Sequence, residues 1–257
     1  MEKIISSENN SYKKFKKLKQ KKYREEMGLF LAEGHKFLDF QEIPEAIIIK
    51  DSYYDEIGER VVSKFQYSVK TFILDSKLFK ELSTQENSQG IIFVYPTRTG
   101  SVEKLEDNIV VLDRVADPGN LGTIIRLCDA AGFKDILLTK GSVDCYNDKV
   151  VRSSMGSIFA MNMVYMEERE VLSLLEEREY ETFVTALAKD SINYNEIVLK
   201  GKNAIVFGNE GQGVSENFLN FAKQKVIIPI YGTAESLNVA VASGIMLYKV
   251  RELLNKM

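Results

Sequence analysis

The strongest constraint on this chain is an alternation that runs through residues 108–257. Short, unbroken apolar runs are followed by turns and then by stretches of helical period. Residues 109–112 form such a run, the pattern of a strand covered on both faces in a parallel sheet. Further strands are expected at 136–139, 161–166, 182–187, 204–207 and 226–230. Helices are expected at 121–131, 148–159 and 238–254. Strand and helix alternating in this way define an α/β domain with a mostly parallel sheet.

Ahead of it, residues 1–97 read as a second, smaller α/β unit, with strands at 46–49, 71–74 and 91–95. Residues 98–107 are polar and glycine-containing and read as a linker. The N-terminal unit opens with KKFKKLKQKKYR at residues 13–24, which holds eight basic residues and no acidic one. The formal net charge is −3, so the remaining residues sum to −11 (−3 minus 8). Charge gathered in this way points to a local anion-binding face. Tyr12, Phe15, Leu18, Tyr23 and Met27 recur through the segment as an approximate helical stripe, with lysines on the other faces.

Several chemistries are excluded or disfavoured early. No apolar run approaches the roughly 20 residues needed to span a bilayer, and charges interrupt the N-terminus before a signal peptide could form. Cys128 and Cys145 are too few for a disulfide framework and have no metal-ligand spacing, so a reduced, cytoplasmic setting is expected. The single histidine, His35, lies in an apolar stretch and reads as a packed or surface residue.

Three segments carry the chemistry. DPGNLGTIIRLCDAAGF, residues 117–133, reads as a turn and a helix, with Asn120 as a candidate cap and Gly122 allowing close approach. Arg126 lies four residues beyond Gly122 among Ile124, Ile125 and Leu127, where a cation needs a partner or a task. IVFGNEGQGVS, residues 205–215, is a strand entering a glycine-rich loop. Its glycines do not follow the dinucleotide order G-x-G-x-x-G. Glu210 inside the loop would repel a phosphate, so a ligand bearing positive charge or hydroxyls suits it better. IIPIYGTAESLNVAVASGIMLYKV, residues 227–250, runs from a strand through a polar loop into a helix rich in small residues.

Together these segments resemble the SpoU (TrmH-like) branch of the knotted SPOUT methyltransferase superfamily. Asn120, Gly122 and Arg126 match its N-x-G-x-x-x-R motif, Gly208 to Gly213 its G-N-E-G-x-G, and Ile228-Pro229-Ile230 with Ser236-Leu237-Asn238-Val239 its third motif. KVVRSSMGSIF at 149–159 is similar to an R-x-S-x-G block that includes Arg152. FLAEGHKFL at 30–38 is similar to the F-x-x-E-G block of the family's RNA-binding domain. Ala240 departs from the serine found in many members.

The resemblance implies a trefoil-knotted, parallel-sheet methyltransferase domain at 108–257 behind a smaller α/β RNA-binding domain at 1–97. It implies S-adenosylmethionine as cofactor with no metal, held by Leu187, Gly208, Asn209, Gly211, Ile228, Ile230 and Leu237. It assigns the chemistry to Arg126, Asn120, Glu210, Ser236 and Asn238. The reaction implied is methylation of a ribose 2′-hydroxyl of RNA, with large-subunit ribosomal RNA favoured over tRNA. A homodimer is implied, with the small-residue face of the last helix suited to a close contact. Lys13, Lys14, Lys16, Lys17, Lys21, Lys22, Arg24 and Arg152 are the expected RNA contacts. In that family the matching arginine is sometimes drawn as a general base, a role the resemblance would give to Arg126. A guanidinium stays protonated in proteins, so donation to a phosphate and to a developing alkoxide is preferred. Two other classes stand as rivals, a non-catalytic RNA-binding protein of the same fold and a nucleotide-dependent oxidoreductase.

Overall fold

The computed structural model describes residues 1–65 and 68–256. From the N-terminus come β1 (Glu2–Ile4), α1 (Asn10–Lys17), α2 (Lys21–Met27), β2 (Leu29–Glu33), β3 (Ala46–Lys50), α3 (Tyr54–Phe65), β4 (Lys70–Leu74), α4 (Ser76–Leu82) and β5 (Ile91–Pro96). The chain continues through β6 (Asn108–Asp113), α5 (Pro118–Ala130), β7 (Asp135–Thr139), α6 (Asp148–Ser153), β8 (Asn162–Met166), α7 (Glu168–Glu177) and β9 (Tyr180–Thr185). It ends with β10 (Ile192–Asn193), β11 (Lys202–Gly208), α8 (Glu216–Phe221), β12 (Gln224–Ile227) and α9 (Val239–Leu254).

Two compact units result. One unit holds Met1–Arg98 together with Asp144–Phe159, and the other holds Thr99–Val143 with Ala160–Met257. Segment 144–159 was expected in the methyltransferase domain, yet it packs with the N-terminal unit through aromatic contacts. Tyr146 stacks near Phe30 at 4.6 Å and Phe159 meets Tyr95 edge-on at 4.8 Å. The expected helix at 148–159 stops at Ser153, where Met155 and Gly156 take φ of 53° and 94°. A Cβ on Gly156 would overlap the Phe40 ring, so the turn requires glycine. The expected linker is also more ordered than its composition suggests. Val102 and Leu105 pack on the core of the second unit.

The N-terminal unit carries a mixed five-stranded sheet in the order β1-β4-β3-β5-β2. The lysine-rich segment covers it as two helices. Asn9 caps the first by accepting from Ser11 N and Tyr12 N, and Gly28, at φ 63°, ends the second. Tyr12, Phe15 and Leu18 of the expected stripe enter the core. His35 opens a short 3₁₀ turn, His35–Leu38, and its backbone N–H donates to Gln89 Oε1 at 2.8 Å.

The second unit is built on a seven-stranded sheet, β10-β12-β9-β11-β6-β7-β8, in which every pairing is parallel. Its central strands are buried on both faces, as the unbroken apolar runs require: residues 109–112 and 204–207 are all fully covered. Helices α5 and α9 pack against each other, with Gly244 set against Leu127. Ala240 and Ser243 are buried within the same unit. The small-residue face of α9 is thus engaged in packing inside the unit. Among the described residues no helix is long and apolar enough to cross a membrane.

Candidate active site

Register decides which loops meet. Asp113 at the end of β6 lies opposite Gly208 at the end of β11, and Thr185 of β9 lies opposite Val226 of β12. The loops that leave these four strands therefore emerge at one edge of the sheet, the carboxyl edge where parallel α/β sheets bind ligands. A cleft of about 700 Å³ opens there, within the roughly 300–1,000 Å³ range of small-molecule sites. All seven expected cofactor residues line it: Leu187, Gly208, Asn209, Gly211, Ile228, Ile230 and Leu237. Strand β12 ends at Ile227 instead of running to 230, because Ile228–Ile230 leave the sheet to form the cleft wall. Leu187 likewise lies beyond β9 and is 64% exposed.

The glycine loop is a closed shape. A Cβ on Gly208 would overlap Val214 N. Asn209 and Gly213 exchange backbone hydrogen bonds of 3.1 and 2.9 Å. The Asn209 side chain accepts from Gly211 N at 2.9 Å and Gln212 N at 3.0 Å. The amides of residues 211–213 are thus consumed inside the loop and do not form a phosphate cradle. The cleft lining contains Glu210 and Glu235 and, among the described residues, no lysine, arginine or histidine.

Asn120 is not the helix cap expected from its position. Asp117 caps α5 by accepting from Asn120 N at 2.8 Å. This frees the Asn120 side chain, which donates to Glu210 Oε1 at 3.0 Å and accepts from Asn238 Nδ2 at 2.9 Å. Asn238 also caps α9 through Ala240 N and Val241 N. Glu210 accepts as well from Ala116 N at 3.3 Å and Asp117 N at 3.2 Å. Burial would push its carboxyl up, but the hydrogen bonds from Asn120 and the backbone amides outweigh that and hold it below the ordinary value. The stabilisation from this lowered carboxyl is fully present above the ordinary glutamate value and is lost as pH falls through the lowered one. One network thus joins all three motifs. Ser236 lines the cleft and is exposed.

Arg126 answers differently from its sequence context. Ile124 and Ile125 point inward and are fully buried, whereas Arg126 lies on the exposed face of α5. Its apolar neighbours therefore impose no desolvation on it, and it does not line the cleft. The expected RNA contacts also divide. Lys13, Lys16 and Lys21 are exposed and pair with Glu8, Glu81 and Glu25, and the half-buried Lys14 pairs with Glu45. Lys17 and Lys22 lie over the Tyr23 ring at 5.3 and 5.8 Å. Arg152 is exposed on α6. Arg24 is not a surface cation: it is 5% exposed, donates to Asp144 Oδ2 at 2.9 and 2.6 Å, and donates to Leu18 O at 2.9 Å. Its position in the run of lysines concealed a buried ion pair.

Two further residues support the loop and were not expected. Asp113 is fully buried at the end of β6 and Arg114 follows it at φ 55°. The only hint in the sequence was a carboxylate closing an otherwise apolar strand. Among the described residues, no group of three His, Cys, Asp or Glu side chains is placed to hold a metal ion.

Known proteins resemble this chain along both units. Residues 107–248 match the model of the SpoU rRNA Methylase family, and residues 9–92 match that of an MRM3-like substrate binding domain. The 23S rRNA (guanosine(2553)-2'-O)-methyltransferase RlmP of Bacillus subtilis is 34% identical across 98% of this chain and 100% of its own length. A tRNA (guanosine(18)-2'-O)-methyltransferase of Aquifex aeolicus is also 34% identical, over 58% of this chain and 71% of its own length. The crystal structure of an AdoMet-bound rRNA methyltransferase from Sinorhizobium meliloti superimposes with a TM-score of 0.85 at 29% identity, covering 98% of both chains.

Proposed function

Because the chain belongs to the SpoU rRNA methylase family, we propose that it transfers a methyl group from S-adenosylmethionine to a ribose 2′-hydroxyl of RNA, with large-subunit ribosomal RNA as the substrate class. The observation that carries this reading is the electrostatic character of the cleft. It is apolar-walled, lined by two carboxylates and free of basic side chains among the described residues. Such a cleft suits an adenosine ligand that carries a cation and no phosphate, and it disfavours the phosphate-rich cofactor of an oxidoreductase. Leu187, Ile228, Ile230 and Leu237 would hold the apolar adenine, with the Gly208 strand end allowing close approach.

When bound, S-adenosylmethionine supplies a methyl group already activated on a sulfonium. The protein's task is then to orient the ribose and to stabilise the charge that develops on its 2′-oxygen. Asn120, Glu210 and Asn238 fix the mouth of the cleft through one hydrogen-bond network, with Ser236 beside them. Arg126, on the exposed side of α5, is assigned to the RNA: its guanidinium donates to a phosphate and to the developing alkoxide. Coverage supports the substrate class. The ribosomal RNA relative aligns along the whole chain, whereas the tRNA relative aligns with little more than half of it. The lysine-rich face and Arg152 of the N-terminal unit would bind the RNA backbone.

The same reading carries a trefoil knot in the second unit and a cytoplasmic homodimer. The copies would meet on the outward face of α9, which exposes Val241 and Tyr248. Calorimetry with S-adenosylmethionine and with NAD is the direct test, followed by mapping of 2′-O-methyl sites in RNA from cells with and without the gene. Binding of NAD alone would overturn the proposal, and a mapped site in tRNA would replace the substrate class. Arg126→Lys is expected to lower turnover at least ~10-fold while cofactor affinity stays unchanged, because lysine lacks the planar two-pronged donor. Near-normal turnover would end the assigned role.

A further inference from the structure

The residue that follows β6 combines three observations that the methyl-transfer reading does not use. Arg114 has a left-handed backbone at φ 55°, a conformation that costs a non-glycine residue about 1 kcal/mol or more. Such a cost persists where surrounding contacts impose the conformation. Here the fold turns the side chain back onto its own neighbour. Nε donates to Asp113 Oδ1 at 3.0 Å and Nη2 donates to Asp113 Oδ2 at 2.9 Å. The Asp113 carboxylate also accepts from Thr139 Oγ1 at 3.1 Å and Ser215 N at 2.8 Å, so a fully buried anion is satisfied on both oxygens.

The outer edge of the same guanidinium then reaches the glycine loop. Nη1 donates to Gln212 Oε1 at 3.0 Å and Nη2 approaches Gly213 O at 3.5 Å. From the other side, the Arg114 carbonyl accepts from Asn209 Nδ2 at 2.8 Å. Asn209, Gln212 and Gly213 all line the cleft, whereas Arg114 does not. Backbone, carbonyl and side chain of one residue therefore grip three of the loop's residues from behind.

We propose that Arg114 is a positioning residue for the cofactor: anchored on Asp113, it holds loop 209–213 in its ligand-binding shape before the cofactor arrives. A loop already ordered spares the binding step the entropy of ordering it. The left-handed backbone aims the side chain at Asp113 and the loop together, and the five-donor guanidinium serves both, which lysine cannot do. The inference rests on the cleft being the cofactor site proposed above.

Two variants and their combination test it, with S-adenosylmethionine as the probe. Arg114→Lys keeps a cation beside Asp113 but loses the fork, and Gln212→Ala removes the acceptor alone. Each is expected to raise the cofactor Kd by roughly 3- to 10-fold, the range expected for one hydrogen bond. Amide exchange of residues 209–213 should also quicken in the cofactor-free protein, while the melting temperature stays near that of the wild type. In the double variant the effects should not multiply, because both break one link. Where Arg114→Lys fails to fold, Gln212→Ala alone still decides through Kd and exchange. Wild-type affinity and exchange in Gln212→Ala, or fully multiplicative costs, would overturn the inference. A wild-type protein that does not bind S-adenosylmethionine would instead overturn the function proposed above.

Discussion

The lysine-rich segment at 13–24 and the glycine loop at 208–213 spend their polar groups in opposite ways. In the first, four lysines meet glutamates in pairs whose side chains are 41–79% exposed. Water and salt screen such pairs, so they can be exchanged for phosphates at little cost. In the second, the amides of Gly211, Gln212 and Gly213 are bound to Asn209 within the loop itself. One region offers a deformable field of charge and the other a fixed shape. A run of cations and a run of glycines in sequence therefore say little about what is free to bind. Partners supplied by the fold decide that.

Arg24 tests the comparison most severely, because it stands in the exposed segment but behaves like the loop. Arg24→Ala would leave the half-buried Asp144 carboxylate and the Leu18 carbonyl without their donor and should cost up to about 3–5 kcal/mol, read as a lowered unfolding midpoint. An unchanged midpoint with weakened RNA binding would return Arg24 to the surface set. Gly208→Ala strikes the rigid region. The new methyl group would force Val214 N and Gly213 away, at a strain of about 1–3 kcal/mol. Cofactor affinity should drop up to roughly 100-fold, measured by calorimetry; normal affinity would show the loop to be more pliable than its hydrogen bonds imply. The smallest effect on stability belongs to the lysines. Replacing Lys13, Lys14, Lys17 and Lys22 by glutamine should change stability by less than about 0.5 kcal/mol each. RNA affinity should weaken, and its salt dependence should flatten by about one unit of slope for each phosphate no longer neutralised. An unchanged slope would remove this face from the RNA interface.

Legibility in the sequence followed the range of the interactions. The strands at 109–112, 136–139 and 204–207 could be read because burial on both faces demands unbroken apolar runs. The cleft wall could be read through motif order, and the seven residues expected to hold a cofactor line one cleft. Asn120 reads as a cap, but Asp117, three residues earlier, offers the same acceptor and wins the position. Arg126 reads as a cation in need of a partner or a task among apolar neighbours, but the helical period turns it outward. Arg24 gave no local sign of its partner 120 residues away.

The amino-acid sequence alone was enough for the α/β class, the parallel sheet of the second unit and the motifs that meet at one cleft. Those properties are written in hydrophobic period and residue type, which act over one or two turns of chain. Only the tertiary structure decided that segment 144–159 joins the N-terminal unit, that Arg24 is an internal ion pair, and that Asp113 and Arg114 grip the glycine loop. Each of these depends on which distant groups the folded chain brings within hydrogen-bonding distance, and buried charges take whatever partner the fold supplies.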